Sequence, residues 1–301
     1  MKVTVLGNGA WGEGLAFIAA KAGHDVGIWS RRAPDAGLIH NADVVVLAVP
    51  TQDAHAVLER LQLKNVPLIS AAKGIEQKSG KFLHQLAREQ APGCEFYALS
   101  GPSFAADVVK GLPTAVTLAG PTLEKASHWA KALSLPTFRI YTTDDVAGVE
   151  IGGAMKNVLA IACGIADGLG LGDSARASLT TRGFAELSRF GAKLGARPET
   201  LIGLSGLGDL LLSCSSRKSR NYSFGLALGQ GLSVKEAFSQ SSGVVEGAFT
   251  ASIAAKLSRQ HHVEMPITEA VTAIIDHGSK PGDEVKKLLA RPLGTEFKKE
   301  Q

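Results

Sequence analysis

Cysteine is scarce in this 301-residue chain: Cys94, Cys163 and Cys214 are odd in number and far apart. They form neither a disulfide framework nor metal-ligand spacing, so no metal is expected and a reducing compartment is. Each reads as a small buried hydrophobe. Aromatic residues make up only 6% of the chain, which argues against a base-stacking surface. The formal net charge of +4 is spread out, with no dense basic run. That speaks against nucleic acid as a partner and suits a small anionic substrate. No uninterrupted apolar run approaches the roughly 20 residues that a membrane span needs. MKVTVLGNG enters a strand directly, without the charged segment, apolar core and cleavage pattern of a signal peptide. A soluble, cytoplasmic protein is expected. No fixed-period repeat or low-complexity segment stands out, and the tail FKKEQ is expected to fray.

What the chain does contain is apolar bulk for two domains: 45% of residues are hydrophobic and 20% charged. The first half alternates strand and helix textures. Strands are expected at 2–6, 26–30, 43–50, 67–72, 96–100, 114–120 and 138–143. Between them come helical patterns, including one ending at Gly23 and others at about 52–61, 79–90 and 122–133. The run DVVVLAVP (43–50) has the texture of a strand buried on both faces. Alternation of this kind predicts a parallel sheet with helices on both faces. After residue 144 strand signals nearly vanish. Helices are expected over 145–169, 174–195, 199–203, 221–229, 233–239, 246–260, 267–277 and 282–290. The chain therefore divides into an α/β domain, 1–144, and an all-α domain, 145–301.

GNGAWG (7–12) matches G-x-G-x-x-G, follows a strand and opens a helix, the context that makes the pattern informative. Gly7 would make the tight turn, Gly9 would admit a pyrophosphate, and Gly12 would allow close packing of helix on strand. The helix N-terminus would add N–H donors and a positive dipole end. NAD-preferring sites place an acid about 20 residues on, at the end of the second strand. Here VGIWS runs into Arg31 and Arg32, with no carboxylate before Asp35. Two guanidinium groups favour a 2′-phosphate, so NADP(H) is the preferred cofactor and NAD a possible one. The same arginines could also be solvated surface residues.

In GGAMKNVLAIACGIADG (152–168), Lys156 and Asn157 interrupt an apolar helix. Lys156 has Gly152, Gly153, Leu159 and Ala160 as helical neighbours, mostly small, so a ligand could approach its ammonium. It could donate a proton to a carbonyl oxygen being reduced, with Glu150 and Asn157 positioning it. It could equally snorkel to water. Lys73, in ISAAKGIE, follows a strand at the end where open α/β sheets bind ligands. Gly101, Pro102 and Ser103 could line the same crevice. In SGLGDLLLSCSSRKSRNYSFG (205–225), Asp209 follows a glycine turn, and Arg217, Lys218, Arg220 and Asn221 could grip a phosphate or carboxylate. Glu246, in VVEG, could bond a cofactor hydroxyl or amide. The adjacent His261 and His262 point apart and read as surface residues.

In that order GNGAWG, AVPT, SAAKGIE, LSGPSFA, EIGGAMKN, GLGDLLLSC, SRN and VVEG resemble bacterial-type NAD(P)-dependent glycerol-3-phosphate dehydrogenase over nearly the whole chain. The resemblance implies interconversion of dihydroxyacetone phosphate and sn-glycerol 3-phosphate, feeding glycerophospholipid synthesis, in a protein that could dimerise. It implies Lys156 as the catalytic lysine beside Asn157, Lys73 as a lysine contacting cofactor and substrate, and Asp209 as their supporting acid. Gly101 and Ser103 match substrate-loop positions, and Ser219, Arg220 and Asn221 the phosphate-binding run. Ala10, Trp11, Arg31, Ala105, Arg220, Val244 and Glu246 match nucleotide contacts.

One departure from that family concerns RRAPDAGLIHNA (31–42), which is too short for the usual excursion of helix and strand. The Rossmann-like sheet should then lack its third strand and the helix before it, leaving the adenine-ribose pocket more open. Two other readings are carried. One is a dehydrogenase of the same architecture acting on a hydroxy or oxo acid, against which the SRN run and Lys73 argue. The other is an NADP(H)-binding redox sensor, which would have little need of Lys156, Asp209 and Arg220 together.

Overall fold

A computed structural model describes residues 1–293 and 295, the side chain of Ala36 excepted. The tail FKKEQ lies outside the described residues. Seven strands form one sheet: β1 (Lys2–Leu6), β2 (Asp25–Trp29), β3 (Val44–Leu47), β4 (Leu68–Ser70), β5 (Phe96–Ser100), β6 (Thr114–Ala119) and β7 (Phe138–Thr143). Their order is β2-β1-β3-β4-β5-β6-β7. The first five run parallel, and β3, with all four residues buried, is covered on both faces. Helices α1 (Ala10–Lys21), α5 (Ala105–Val109) and α6 (Leu123–Leu133) accompany one buried cluster, which includes Val5, Val46, Ile69 and Trp129. Helices α3 (Thr51–Leu61) and α4 (Leu83–Gln90) accompany the other, built on Leu6, Val45, Leu47 and Leu86.

The sheet departs from one expectation and meets another. It is not parallel throughout, because β6 pairs antiparallel with β5 and carries β7 parallel to itself. The helix between β5 and β6 is only five residues, about 7.5 Å of rise, too short to retrace β5, so the chain reverses. The missing third strand is as expected: among the described residues nothing extends the sheet beyond β2. A short helix survives there, however. Asp35 accepts from Gly37 N–H at 2.8 Å and caps α2 (Ala36–His40), whose Leu38 carbonyl accepts from Thr4 Oγ1 at 2.7 Å.

The second half is helical. It comprises α7 (Val146–Gly168), α8 (Asp173–Lys193), α9 (Pro198–Leu201), α10 (Asp209–Cys214), α11 (Arg220–Gly229), α12 (Val234–Ser239), α13 (Glu246–Gln260), α14 (Pro266–His277) and α15 (Pro281–Leu289). Asp145 caps α7 by accepting from Gly148 N–H at 2.8 Å. Helix α7 is the axis of this half, with α8, α10, α11, α13 and α14 packed around it. By length and composition it could cross a membrane, but most of it is buried in the helical core. Gly164 and Gly225 let α7 and α11 approach backbone to backbone, since a Cβ on either would collide with a carbonyl of the other helix. That contact carries the start of α11 toward Lys156. Between α9 and α10 the chain makes a single π-turn (Leu204–Gly208), closed by Gly208 N–H on Gly203 O at 3.0 Å. The sequence pattern predicts no helix between 203 and 221, so both this turn and α10 are additions made by the structure. Insertions of this kind gather at functional sites because they re-aim the residues that follow, and here Asp209 follows.

Candidate active site

The loop GNGAWG lies at the carboxyl end of β1, between the ends of β2 and β3. Gly7 has φ +116°, and its N–H donates to Trp29 O at 2.9 Å. A Cβ on Gly12 would strike the Gly7 carbonyl, so this third glycine closes the turn on itself rather than packing helix on strand. Gly9 is the N-cap of α1, and a Cβ there would meet nothing within 4 Å. The crevice above it is open to a ligand, and the first N–H groups of α1 point into it. Ala10 and Trp11 form the first turn of that helix, and Ala105 begins α5 beside Gly14.

Three polar atoms along this crevice are buried without partners: Trp11 Nε1, Thr51 Oγ1 and Glu246 Oε2. Glu246, first residue of α13, crosses to the other half of the molecule, where its Oε1 accepts from Thr51 N–H at 2.8 Å. Burial pushes its carboxyl up to about 7, against the pull of Thr51 and of Arg220. Val244 lies half-buried in the loop just before it. An open glycine turn with unpaired donors and acceptors around it fits a dinucleotide. Arg31 and Arg32 are exposed on the turn after β2, where Arg31 meets a carboxylate that sequence reading did not assign to the site. Its Nη1 and Nη2 lie 3.2 and 3.3 Å from Asp53 Oδ1 and Oδ2.

The second cluster joins both halves of the chain. Asp209, fully buried at the start of α10, accepts from Lys73 Nζ at 2.6 Å through Oδ2 and from Lys156 Nζ at 2.9 Å through Oδ1. Lys73 also donates to Gly101 O at 3.0 Å, and Lys156 to Ser213 Oγ at 3.0 Å. An ammonium has three N–H donors. Among the described residues each lysine therefore keeps one N–H free for a ligand. Burial alone would raise the Asp209 carboxyl, but the two ammonium groups outweigh it and hold it below the usual range. Lys73 is lowered to about 8, by burial first and by the charge of Lys156 as well, with Asp209 opposing. One carboxylate between two ammonium groups leaves a net positive charge, suited to an oxygen that gains negative charge during reaction.

Two glycines let the parts of this cluster pack closely on α7. A Cβ on Gly153 would fall 2.7 Å from Ser100 Oγ and against the Lys73 stem, and one on Gly152 would fall 2.6 Å from Ser205 O. Asn157 donates to Lys73 O at 2.9 Å and accepts from Asn221 Nδ2 at 2.8 Å, while Asn221 Oδ1 accepts from Gly247 N–H at 2.9 Å. The two amides thus tie the Lys73 loop, α7, α11 and α13 together, and among the described residues Asn221 Nδ2 keeps one N–H free. Ser219 caps α11, its Oγ accepting from Tyr222 N–H at 3.3 Å, so the N–H groups of Arg220 and Asn221 face outward without helical acceptors. Ser103 donates to Gly101 O at 3.0 Å.

Glu150 does not position Lys156. It accepts from His84 through backbone and ring, on another face of α7. Lys218 leaves the expected anion grip as well, pairing with Asp107 at 3.0 Å. The residue missed on Lys156 is Ser213. Its spacing of four from Asp209 is the only signal, and that becomes readable once α10 is known to be a helix.

A Rossmann-like sheet with an open glycine turn, facing a buried Lys–Asp–Lys cluster, defines a two-domain NAD(P)-dependent dehydrogenase. The family model for the NAD-dependent glycerol-3-phosphate dehydrogenase C-terminus matches residues 145–286, and that for its N-terminus matches 2–40 and 35–126. The chain belongs to this family. It is 44% identical over 326 residues to a Parvibaculum lavamentivorans glycerol-3-phosphate dehydrogenase, NAD(P)+, covering 98% of each chain. It is 45% identical over 327 residues to the Brucella ovis protein of the same name, covering 98% of this chain and 99% of the relative. A crystal structure of glycerol-3-phosphate dehydrogenase from Coxiella burnetii superposes with TM-score 0.91 at 34% identity, covering 96% of this chain and 98% of that one. Both alignments are longer than this chain, and the N-terminal family match breaks at 35–40. The relatives carry a stretch that this chain lacks between β2 and β3.

Proposed function

We propose that the protein interconverts dihydroxyacetone phosphate and sn-glycerol 3-phosphate with NADPH or NADH, NADPH preferred, and so supplies the backbone of glycerophospholipids. Residues 1–144 hold the nucleotide and 145–301 the substrate. The work is done in the cytoplasm, with no nucleic acid, metal or membrane span involved, by a chain that can pair with a second copy. The observation that carries this reading is the Asp209 carboxylate held between Lys73 and Lys156.

Gly7, Gly9, Ala10, Trp11, Gly12, Ala105, Val244 and Glu246 line the nucleotide crevice, and Arg31 with Arg32 face the adenine-ribose end. When bound, the nicotinamide supplies or accepts the hydride at C2 of the substrate. The free N–H of Lys156 hydrogen-bonds the C2 oxygen and passes it a proton as negative charge develops there; in the reverse direction the amine takes that proton back. Asp209 and Ser213 hold the Lys156 ammonium in place. Lys73, oriented by Asp209 and Gly101, presents its remaining N–H to substrate and cofactor. Ser103 and Gly101 form the loop beneath. The outward N–H groups at the start of α11, with the Arg220 guanidinium and the Ser219 cap, receive the phosphate as helix N-termini do. Asn157 and Asn221 fix the distance between that phosphate site and the lysines. Gripping a remote phosphate places the carbonyl carbon, which is how binding of non-reacting groups is turned into rate.

The test is Arg220→Ala assayed with dihydroxyacetone phosphate. The KM should rise about tenfold or more, with a smaller change in kcat. An unchanged KM would remove the phosphate clamp and favour a hydroxy or oxo acid as substrate.

A further inference from the structure

The sequence offers no acid at the end of β2, yet the fold delivers one. Asp53 belongs to the first turn of α3, which follows β3, and so reaches the crevice from the far side of β1. Its two oxygens lie 3.2 and 3.3 Å from the two terminal nitrogens of Arg31, a side-by-side pairing that spans the carboxyl end of β1 above the glycine turn. We infer that Asp53 and Arg31 together form a two-way ribose clamp, the carboxylate accepting a free 2′-hydroxyl and the guanidinium receiving a 2′-phosphate. This inference rests on the nucleotide reading above.

Three observations favour a clamp over a bland surface ion pair. First, Asp53 is held against Arg31, two residues beyond β2, the strand whose end carries the ribose-binding acid in NAD-preferring sheets. Second, the pair is open to water, with side-chain exposures of 64% for Arg31 and 33% for Asp53. An exposed pair of this kind holds its partners weakly and releases either one to a better ligand. Third, the shortened 31–42 segment leaves β2 at the edge of the sheet, so among the described residues no further strand shields the pair from the adenine-ribose side. Paired, the two charges cancel, and the clamp is biased toward neither nucleotide. A 2′-phosphate draws Arg31 away and meets the Asp53 charge as a cost, whereas a 2′-hydroxyl donates to Asp53 and leaves Arg31 as that acid's counter-ion. Preference between the two nucleotides is then a balance set by one residue of each sign. Arg32, exposed beside them, adds positive charge that has no partner among the described residues.

The experiment is calorimetric titration of the full chain with 2′,5′-ADP and with 5′-ADP, for wild type, Asp53→Asn and Arg31→Gln at one fixed salt concentration. The clamp requires opposite responses. Asp53→Asn should weaken 5′-ADP about fivefold and tighten 2′,5′-ADP by a similar factor, while Arg31→Gln should weaken 2′,5′-ADP about tenfold and change 5′-ADP less than twofold. An Asp53→Asn variant that moves both affinities together, or neither, while Arg31→Gln still loses 2′,5′-ADP, overturns the clamp and leaves the nucleotide reading standing. No response of 2′,5′-ADP to Arg31→Gln overturns the clamp alone, whereas no binding of either nucleotide by wild type overturns the nucleotide reading and the clamp with it.

Discussion

Asp209 gives one carboxylate oxygen to each of two lysines that come from different halves of the chain, Lys73 at 2.6 Å and Lys156 at 2.9 Å. Lys73 leaves the sheet after β4 and Lys156 projects from α7, so the acid is also a bolt between the halves. Asp209→Asn removes the charge and keeps the shape. Its kcat should fall about a hundredfold or more. Stability should drop by about 3–5 kcal/mol, because two buried ammonium groups lose their shared counter-ion. Turnover measured below the variant's own melting transition separates the two effects. Undiminished kcat there would contradict the role given to Asp209.

Lys73 supplies the pH dependence. With its ammonium lowered to about 8, it is charged below that value and neutral above it. As pH rises through about 8, the site loses positive charge, and kcat/KM for reduction of dihydroxyacetone phosphate should fall. In Lys73→Arg the guanidinium stays protonated, so the fall should move to higher pH even if the overall rate is lower. A fall left in place by that substitution belongs to another group.

Glu186 offers a test of the fold that leaves the active site alone. It is buried on α8, where it accepts from Ile267 N–H at 2.6 Å and Thr268 N–H at 3.2 Å and so caps α14 from a distance. Burial pushes its carboxyl up to about 7. A carboxyl raised on folding holds its proton in the native state over a range where the unfolded chain has lost it. Its contribution is thus present in full below the unfolded value of about 4.3 and declines as pH rises through about 7. Glu186→Gln cannot ionise, so its melting temperature relative to wild type should improve between pH 5 and pH 8. A pH-independent difference would mean that Glu186 does not titrate in this range.

The parts of this protein that could be read in advance are those whose chemistry is local. The glycine turn announces itself because the backbone needs Gly7 and Gly12 while Gly9 leaves room for a ligand, and Lys156 because an ammonium in an apolar helix needs a reason. The sheet covered by helices on both faces and the helical second half follow from the change of texture near residue 144. What escaped reading depends on contacts distant in sequence or on a local irregularity. Ser213 reaches Lys156 only because a π-turn and a short helix stand where the sequence pattern predicts no helix. Glu150 seemed close enough to serve Lys156, but six residues along a helix point it elsewhere, to His84. Asp53 lies 22 residues from Arg31, and only the strand order β2-β1-β3 brings them together.

The measurement closest to the central claim is oxidation of NADPH, and separately NADH, by the purified protein on addition of dihydroxyacetone phosphate, for wild type and Lys156→Ala. Wild type should turn over with both nucleotides, faster with NADPH. The variant should bind nucleotide nearly as well as wild type and lose turnover about a thousandfold or more. Normal turnover by Lys156→Ala, or no dihydroxyacetone phosphate-dependent oxidation by a wild-type protein that binds the nucleotide, would contradict the account.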